Sequence, residues 1–342
     1  MKNIGARLVD IAKQTGFSAT TVSLALNDNP RISSETKKIV REAARELNYV
    51  PNNLARSLVK RGDTRTVGVI VRDLNNPLNI KIAEKLETIL TKQQYLMIML
   101  STRSDAIEEI NTLIGQQVGG ILIYSALSEK ALQNFERLRK NDFPIVLMNS
   151  NGKINNLDIV YLDREIGAYK ATKYLLSLGH KRIAILSTGA LTLDNSKLEG
   201  YRSALQEAGL SSEEKLIFSC KRGRQNFYQS GYDLAEKIFA SKDLGITAVF
   251  ATMDSLAVGF LKYCSDHGIS VPEEISVIGY DNIDVSAYLP VPLTTVAYDV
   301  QAEAAIATDL LFRRMQERPS QQEPVCIRIE PQILERMSCK RI

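Results

Sequence analysis

Few side chains in this 342-residue sequence could perform acid–base, nucleophilic or metal chemistry, and those few are far apart. The two histidines, His180 and His267, belong to no recognisable triad or metal-ligand spacing. No P-loop or GxGxxG phosphate-binding loop is present. The four cysteines form no CxxC pair, so neither a zinc site nor a disulfide framework is indicated: Cys220, Cys264, Cys326 and Cys339. The sequence therefore predicts a protein that binds rather than catalyses, with no cofactor.

Basic residues are concentrated at one end of the chain. Residues 1–62 hold eleven Lys and Arg but five Asp and Glu, whereas the whole chain has a net charge of only +4. A small basic segment on a near-neutral body indicates contact with a polyanion. Charge alone fits a solvated helical surface equally well.

No stretch of the sequence has the length of a membrane span. The longest apolar runs, such as 95–100, are far shorter than the roughly 20 residues that cross a bilayer. The first residues also lack an apolar core of signal-peptide length. We therefore expect a cytoplasmic protein with no membrane partner, which disfavours a transport binding protein because that class needs export.

Three short helices are predicted in the basic segment. Gly16 breaks the first helical pattern, and Ser18 is a good N-cap for the second helix. Two short helices joined by a glycine-containing turn are the layout of a helix-turn-helix, whose second helix lies in the major groove of DNA. A three-helix unit of this kind could also bind protein. The predicted helices are 8–15, 19–26 and one from Ser33 to about Asn48.

From about Val67 onwards, short apolar runs alternate with amphipathic stretches. Repeated strand–helix units predict an α/β fold of two doubly wound parallel-sheet lobes. Ligands of such sheets bind beyond the carboxyl ends of the strands, so the sensing site is expected in the cleft between the lobes. The predicted strands are 67–71, 96–100, 120–123, 145–148, 159–162, 183–186, 248–251 and 275–278.

The basic segment carries a long ordered series of short motifs that resembles the DNA-binding head of the LacI/GalR repressor family. The motifs are Val9-Asp10-Ile11-Ala12, Gly16-Phe17-Ser18, Thr21-Val22-Ser23, Leu26-Asn27, Ile32-Ser33, Thr36, Leu47-Asn48-Tyr49 and Pro51-Asn52. Further landmarks extend the resemblance over nearly the whole chain. They are Asn76-Pro77, Leu178-Gly179-His180, Gly200-Tyr201, Met253-Asp254-Ser255-Leu256-Ala257, Ile278-Gly279-Tyr280-Asp281 and Pro292-Leu293-Thr294-Thr295.

The resemblance implies a repressor that binds a palindromic double-stranded DNA operator as a homodimer and is switched by a small-molecule effector, a sugar or a derivative. It also implies a periplasmic-binding-protein-like core. The implied divisions are a helix-turn-helix domain 1–50, a hinge helix 51–62 and an effector core 63–342. Within the core, the first lobe is expected at about 63–162 and 292–325, and the second at about 163–291 and 326–342.

Residues at the family's DNA-contacting positions are assigned by the same resemblance. Arg7 stands where the family commonly has Thr, so the N-cap of the first helix is expected to be lost or replaced. Leu24 cannot donate hydrogen bonds to guanine, so we expect an operator unlike the lac type. The expected base or groove contacts are Ala19, Thr20, Leu24, Ala55 and Leu58, and the expected phosphate contacts are Ser18, Thr21, Asn27, Ser33 and Arg56.

Effector-binding candidates follow from positions at the predicted strand ends. Lys197 replaces an Arg that many relatives have, Met253 replaces a polar residue, and Leu78-Asn79 replaces an aromatic pair, so a familiar monosaccharide pocket is not implied. Each candidate is also compatible with an ordinary turn or surface position. The candidates are Arg72, Asp73, Asn79, Tyr124 and Asn149 in the first lobe, with Lys197, Asn226, Phe227, Met253 and Asp281 in the second.

Overall fold

The chain divides into two compact units, Met1–Asp63 and Thr64–Ile342, called here the head and the core. Their boundary lies one residue beyond the predicted end of the linker. A computed structural model describes residues 6–49, 64–103, 105–125, 129–148, 154, 156–188, 193–220, 226–241 and 244–342. The predicted hinge 51–62, with Ala55, Arg56 and Leu58, lies outside the described residues. No helix in these ranges is long and apolar enough to cross a membrane.

The head consists of three helices, as predicted: α1 (Leu8–Thr15), α2 (Ala19–Leu26) and α3 (Ser34–Glu46). The hydroxyl of Ser18 accepts a hydrogen bond from the Thr21 amide, and Ser33 does the same for Thr36, each at 3.1 Å. These caps satisfy backbone donors that begin each helix. The helices enclose a small core of Ile11, Val22, Ala25, Val40, Ala43 and Ala44.

The start of α1 shows how the missing Thr cap is replaced. Arg7 has no side-chain oxygen that could accept a hydrogen bond. Instead, the carboxylate of Asp10 accepts one from the Arg7 amide at 2.7 Å, which is one half of a capping box. The sequence prediction of a lost or replaced cap at Arg7 is therefore confirmed as a replacement.

The first lobe of the core is built on an all-parallel sheet of six strands. Its order is β11-β5-β4-β3-β1-β2. The strands are β1 (Thr66–Arg72), β2 (Leu96–Thr102), β3 (Gly120–Tyr124), β4 (Ile145–Met148), β5 (Asp158–Leu162) and β11 (Cys326–Ile329). The helices α4 (Pro77–Lys92), α5 (Ile107–Gly115), α6 (Glu129–Lys140) and α11 (Val300–Gln316) accompany this lobe.

The second lobe repeats this plan with the sheet order β12-β10-β9-β8-β6-β7, in which only β12 runs antiparallel. Its strands are β6 (Ile183–Ser187), β7 (Ile217–Ser219), β8 (Ala248–Ala251), β9 (Ser276–Tyr280), β10 (Thr294–Ala297) and β12 (Gln332–Leu334). Its helices are α7 (Arg164–Ser177), α8 (Leu193–Glu207), α9 (Phe227–Ala240) and α10 (Asp254–Asp266). The two doubly wound lobes expected from the sequence are confirmed.

The chain crosses between the lobes three times, and two of the crossings differ from the predicted boundaries. β10 pairs with β9, so residues 294–297 belong to the second lobe and not to the first. β11 pairs with β5, so residues 326–329 belong to the first lobe and not to the second. The predicted boundaries at 292 and 326 were wrong because each of these short strands joins a sheet whose other strands lie far away in the sequence.

A buried ion pair fixes α11 to the first sheet. The guanidinium of Arg314 donates to both carboxylate oxygens of Asp158 at 2.9 Å, and both side chains are almost completely buried. The same carboxylate accepts a hydrogen bond from the Val325 amide at 2.9 Å, and Arg314 also donates to the Glu323 carbonyl at 2.8 Å. These bonds join the start of β5, the end of α11 and the segment that leads into β11.

His180 lies in the turn between α7 and β6. One ring nitrogen is 3.0 Å from the Thr247 hydroxyl, and the other is 3.0 Å from the Lys340 carbonyl. Burial lowers the pKa of this imidazole, which favours its neutral form. His180 therefore acts as a structural link between the turn and the C-terminal segment of the second lobe.

Helices α7 and α8 approach each other closely at Gly200. A Cβ atom added there would lie 2.1 Å from the Glu165 carbonyl oxygen. We expect Gly200→Ala to destabilise the core by about 1–3 kcal/mol because the overpacked contact outweighs the better helix propensity of alanine. Urea unfolding followed by circular dichroism measures this change.

The matched control is Gly115→Ala at the end of α5, where an added Cβ meets no atom within 4 Å. That substitution is expected to leave stability unchanged or raise it by up to about 1 kcal/mol. Equal effects of the two substitutions would contradict the close packing at Gly200.

Candidate functional site

The second helix of the head presents a free outer surface. Val22 and Ala25 are buried against the other helices, whereas Ser18, Ala19 and Thr20 are exposed. Thr21 and Leu24, which were also predicted to contact DNA, are half-buried. α2 contains no acidic residue in its first turn. Its outer face therefore combines small, hydroxyl and apolar side chains of the kind that fit base edges and phosphates in a major groove.

The acidic residue that follows α2 is neutralised within the head. The Asp28 carboxylate lies 3.1 Å from the Lys37 ammonium and 3.0 Å from the Arg41 guanidinium. The hydrogen bond from Lys37 and its positive charge, with that of Arg41, lower the pKa of Asp28. Asn27 and Ser33, two of the predicted phosphate contacts, are both exposed.

At the end of β1, the predicted cleft residues Arg72, Asp73 and Asn79 lie in a loop that is held by hydrogen bonds from the Asn79 side chain. Asn79 is buried, and its amide donates hydrogen bonds to the carbonyls of Arg72 and Asp73, the second at 2.9 Å. Asp73 adopts a left-handed conformation (φ 45°) and accepts a bond from the Asn75 amide. Arg72 is exposed. Asn79 therefore stabilises the conformation of this loop through its side-chain hydrogen bonds.

Tyr124 ends β3 in the first lobe, and the same lobe contains a buried carboxylate that sequence reasoning missed. The Tyr124 hydroxyl is buried and has no hydrogen-bond partner among the described residues. Glu303, in the first turn of α11, is fully buried. Burial, and after it the charge of Glu303, raises the pKa of Tyr124. A detectable signal was present, because Glu303 falls on the apolar stripe of Val300, Ala304 and Ala307 that packs into the first lobe.

In the second lobe, the Lys197 side chain is buried and its ammonium contacts other groups of the protein. Its ammonium donates to the Thr252 carbonyl and lies 3.7 Å from the centroid of the Tyr280 ring. This arrangement satisfies a buried cation by a carbonyl and an aromatic face. Met253, which follows Thr252, is also buried, as is Asp281 at the end of β9 (φ 109°). The structure thus brings Lys197, Met253 and Asp281 to the carboxyl ends of β8 and β9.

Two tyrosines and an arginine lie where the chain crosses between the lobes. The Tyr280 hydroxyl donates to the Arg164 carbonyl at 3.2 Å and is hydrogen-bonded to the Tyr298 hydroxyl. Burial raises the pKa of both phenols, so both are neutral. The charges of Arg164 and Asp281 act on both rings. These groups therefore form one buried polar cluster at the crossovers.

Asp254 holds the loop that carries Asp281. Its buried carboxylate accepts hydrogen bonds from the hydroxyls of Ser286 and Thr295, each at 2.6 Å, and from the Ile283 amide at 3.0 Å. Burial raises the pKa of Asp254 to about 6, although the hydrogen bonds oppose this shift. Sequence reasoning noted Asp254 as a landmark only and did not assign it this positioning role.

The remaining effector candidates are less directly supported. Asn226 is exposed and caps α9 by accepting a hydrogen bond from the Gln229 amide at 3.1 Å. Phe227 is half-buried and packs against the hydrophobic core of the second lobe. Asn149 lies outside the described residues.

The two lobes also meet at a small surface pocket. The Lys81 ammonium of the first lobe lies 2.8 Å from the Asp284 carboxylate of the second. The pocket is lined by Pro77, Lys81, Tyr228, Ile283, Asp284 and Val285. This ion pair directly links the amino-terminal end of α4 to the loop that follows β9.

Comparisons with known proteins agree with this architecture. A family model described as bacterial regulatory proteins, lacI family, matches residues 7–52, and a periplasmic binding protein-like domain model matches residues 172–339. The chain is 35% identical to the HTH-type transcriptional repressor PurR of Pasteurella multocida over 98% of this chain and 99% of the relative. It is 32% identical to catabolite control protein A of Priestia megaterium, over 90% and 92%.

Solved structures show the same fold. The lac repressor dimer bound to operator and the anti-inducer ONPF superposes with a TM-score of 0.84 at 21% identity, covering 98% of this chain and 99% of the other. A LacI family regulator from Enterococcus faecium with bound ribose has a TM-score of 0.69 at 30% identity, covering 81% and 99%.

A helix-turn-helix head joined to a two-lobed sensing core defines a DNA-binding transcriptional regulator. The chain belongs to the lacI family of bacterial regulatory proteins. Members of this family are DNA-binding transcriptional regulators, and the chain shares this organisation over its whole matched length.

Proposed function

We propose that this protein represses transcription in the cytoplasm by occupying a near-palindromic operator. In this proposal it performs no catalysis. A sugar or sugar derivative bound between its lobes sets its affinity for the operator. One observation carries the effector part of this proposal. Polar groups from both lobes are buried at the carboxyl ends of the strands, where open α/β sheets bind ligands. Binding proteins and effector domains need such groups, whereas catalysis would need a nucleophile or acid–base pair in addition.

The outer face of α2 is the proposed reader of the operator. Ala19, Thr20 and Leu24 contact base edges in this proposal, with Ala55 and Leu58 of the hinge reaching the minor groove. Ser18, Thr21, Asn27, Ser33 and Arg56 contact phosphates and fix the register without reading sequence. Support comes from the exposure of Ala19 and Thr20 and from the two capped helix amino termini, which attract anions.

The proposed effector site combines both lobes. Its members are Arg72, Asp73, Asn79, Tyr124 and Asn149 from the first lobe and Lys197, Asn226, Phe227, Met253 and Asp281 from the second. Tyr124 and Asp281 have the strongest support because both are buried polar groups at strand ends. Effector binding changes how the lobes meet, and a ligand that prefers the DNA-binding arrangement acts as a corepressor, whereas one that prefers the other arrangement acts as an inducer.

An in vitro selection of the purified full-length protein on randomised duplex DNA tests the proposed function. A near-palindromic consensus is expected because a two-fold dimer reads two half-sites. Thr20→Ala is expected to relax the consensus at one position of each half-site, with a loss of about 1–3 kcal/mol in binding free energy. Recovery of no consensus, with and without a metabolite extract, would overturn the proposal.

Exposed apolar side chains at the edge of the core are the proposed dimer contact. Tyr228 and Val285 line the surface pocket between the lobes and are partly exposed. Tyr288, just beyond Val285, is 85% exposed, and Ile80 is exposed on α4 beside the pocket residue Lys81. Monomeric proteins seldom expose such large apolar side chains together, whereas interfaces are enriched in tyrosine.

We expect Tyr288→Asp to raise the dimer dissociation constant at least about tenfold because a charge replaces the most exposed aromatic side chain of the proposed contact. Sedimentation velocity over a range of protein concentrations measures this shift. Met337→Asp is the control, since Met337 is an exposed apolar residue of the same lobe. If both variants dimerise like the parent, the proposed contact surface is wrong.

A further inference from the structure

One acidic residue of the head contacts two cations of a different helix. Asp28 follows α2, and its carboxylate lies 3.1 Å from the Lys37 ammonium and 3.0 Å from the Arg41 guanidinium, both on α3. The Lys37 ammonium also donates a hydrogen bond to the Asp28 carbonyl at 3.2 Å. Asp28 therefore engages two of the seven basic residues that lie between positions 6 and 49.

The cluster of Asp28, Lys37 and Arg41 is joined to two of the proposed phosphate contacts. Asn27 precedes Asp28 and caps the carboxyl end of α2. Ser33 caps the amino end of α3, and its carbonyl accepts a hydrogen bond from the Lys37 amide at 3.0 Å. A phosphate that is bound at these caps therefore lies close in the chain to two cations and to the carboxylate that engages them.

The contacts of Asp28 are accessible to a competing anion. The Asp28 side chain is 70% exposed and that of Arg41 is 49% exposed, whereas that of Lys37 is only 17% exposed. Exposed ion pairs are weak because water and salt screen both partners. A phosphate oxygen can therefore replace the carboxylate at little cost, but the displaced carboxylate then lies beside a second negative charge.

We propose that Asp28 competes with the DNA backbone for Lys37 and Arg41 and thereby weakens binding to operator and to random DNA by the same factor. The effect is equal because contacts to phosphates carry no sequence information. The inference rests on the proposed function, in which Asn27 and Ser33 hold phosphates beside this cluster. Asp28 thus sets the salt concentration at which the protein leaves DNA, without changing the sequence that is read.

Asp28→Asn tests the inference because it removes the charge and keeps the size of the side chain. Asp28 is left-handed (φ 59°), a conformation that asparagine also tolerates, so the turn should stay folded. Fluorescence anisotropy of the full-length protein measures affinity for the selected operator and for a random duplex of equal length, between about 0.05 and 0.2 M salt. Circular dichroism establishes that each variant is folded.

Asp28→Asn is expected to bind both duplexes about fivefold or more tightly than the parent at about 0.15 M salt. The slope of log affinity against log salt concentration is expected to steepen by about 1–2, because one or two further phosphates are neutralised. A purely structural role of Asp28 in the turn would not steepen this slope.

Two controls separate the contact from the net charge of the head. Glu42→Gln removes the same charge from an exposed position on α3 that forms no ion pair with the described residues of the head, and it should raise affinity less than about twofold. In a protein that already carries Lys37→Gln and Arg41→Gln, Asp28→Asn should leave the salt slope unchanged, since Asp28 acts through those cations.

The outcomes distinguish the inference from the proposed function. Weaker binding of Asp28→Asn to both duplexes, an unchanged salt slope, or a gain confined to the operator would overturn the inference and leave the proposed function intact. An equal gain from Glu42→Gln would assign the effect to net charge and also overturn the inference. Failure of the parent protein to bind either duplex would overturn the proposed function, and the inference with it.

Discussion

Replacement of Asp158 by alanine is expected to lower the free energy of unfolding of the core by about 3–5 kcal/mol. The substitution leaves the Arg314 guanidinium buried without its bidentate partner and removes the acceptor of the Val325 amide. Loss of the buried carboxylate is costly because water is excluded from this site and Arg314 keeps only its ion pair with the partly exposed Glu317 at 3.2 Å. Urea unfolding followed by circular dichroism, at one fixed protein concentration so that any association is held constant, measures the loss.

Asp309→Ala is the matched control for this experiment. Asp309 pairs with Arg313 on the same helix, but both side chains are more than half exposed. Removing an exposed pair of this kind costs less than about 1 kcal/mol. A loss below about 1 kcal/mol for Asp158→Ala as well would contradict the importance of the buried pair.

Replacement of Val22 by aspartate is expected to abolish specific DNA binding. Val22 is fully buried in the head, within a small cluster of six buried apolar residues among those described between 6 and 49, so an introduced carboxylate cannot be accommodated. Operator affinity should fall at least about 100-fold because most phosphate and base contacts depend on the folded head. Fluorescence anisotropy on the selected operator measures affinity, while effector titration should show an unchanged core.

The control for the added charge is Ile39→Asp on α3, where the apolar side chain is already exposed. This variant is expected to keep a folded head and to lose less than about tenfold in affinity, through charge repulsion by phosphates alone. If Val22→Asp bound the operator as tightly as Ile39→Asp, DNA recognition would not depend on the packing of α1 to α3.

The head could be predicted from the sequence almost residue by residue. Its helices are specified locally, by the caps Ser18 and Ser33, the left-handed Gly16 and the apolar spacing of each helix. The alternation of strands and helices in the core was predicted for the same reason, since each unit has its own hydrophobic period. These are features that a short window of sequence contains.

The features that could not be predicted depend on residues far apart in the chain. Nothing within Thr294–Ala297 or Cys326–Ile329 indicates which sheet each strand joins, because the choice depends on pairing with β9 and with β5. The engagement of Lys197 by Tyr280 and Thr252 depends on three separate elements in the same way. At the candidate site, the sequence thus indicated which residues lie near the strand ends. The contacts that those side chains make could be read only from the tertiary structure.

The three crossovers have a consequence for biosynthesis. During translation, β5 emerges long before β11, the strand that covers its outer side in the first sheet. Neither sheet can be completed until nearly the whole chain has left the ribosome, since β11 and β12 both lie after residue 325. An uncovered strand edge is a template for pairing with other chains, and long-range strand pairing folds slowly. The nascent core therefore passes through a stage in which the edge of β5 is uncovered and open to pairing with other chains.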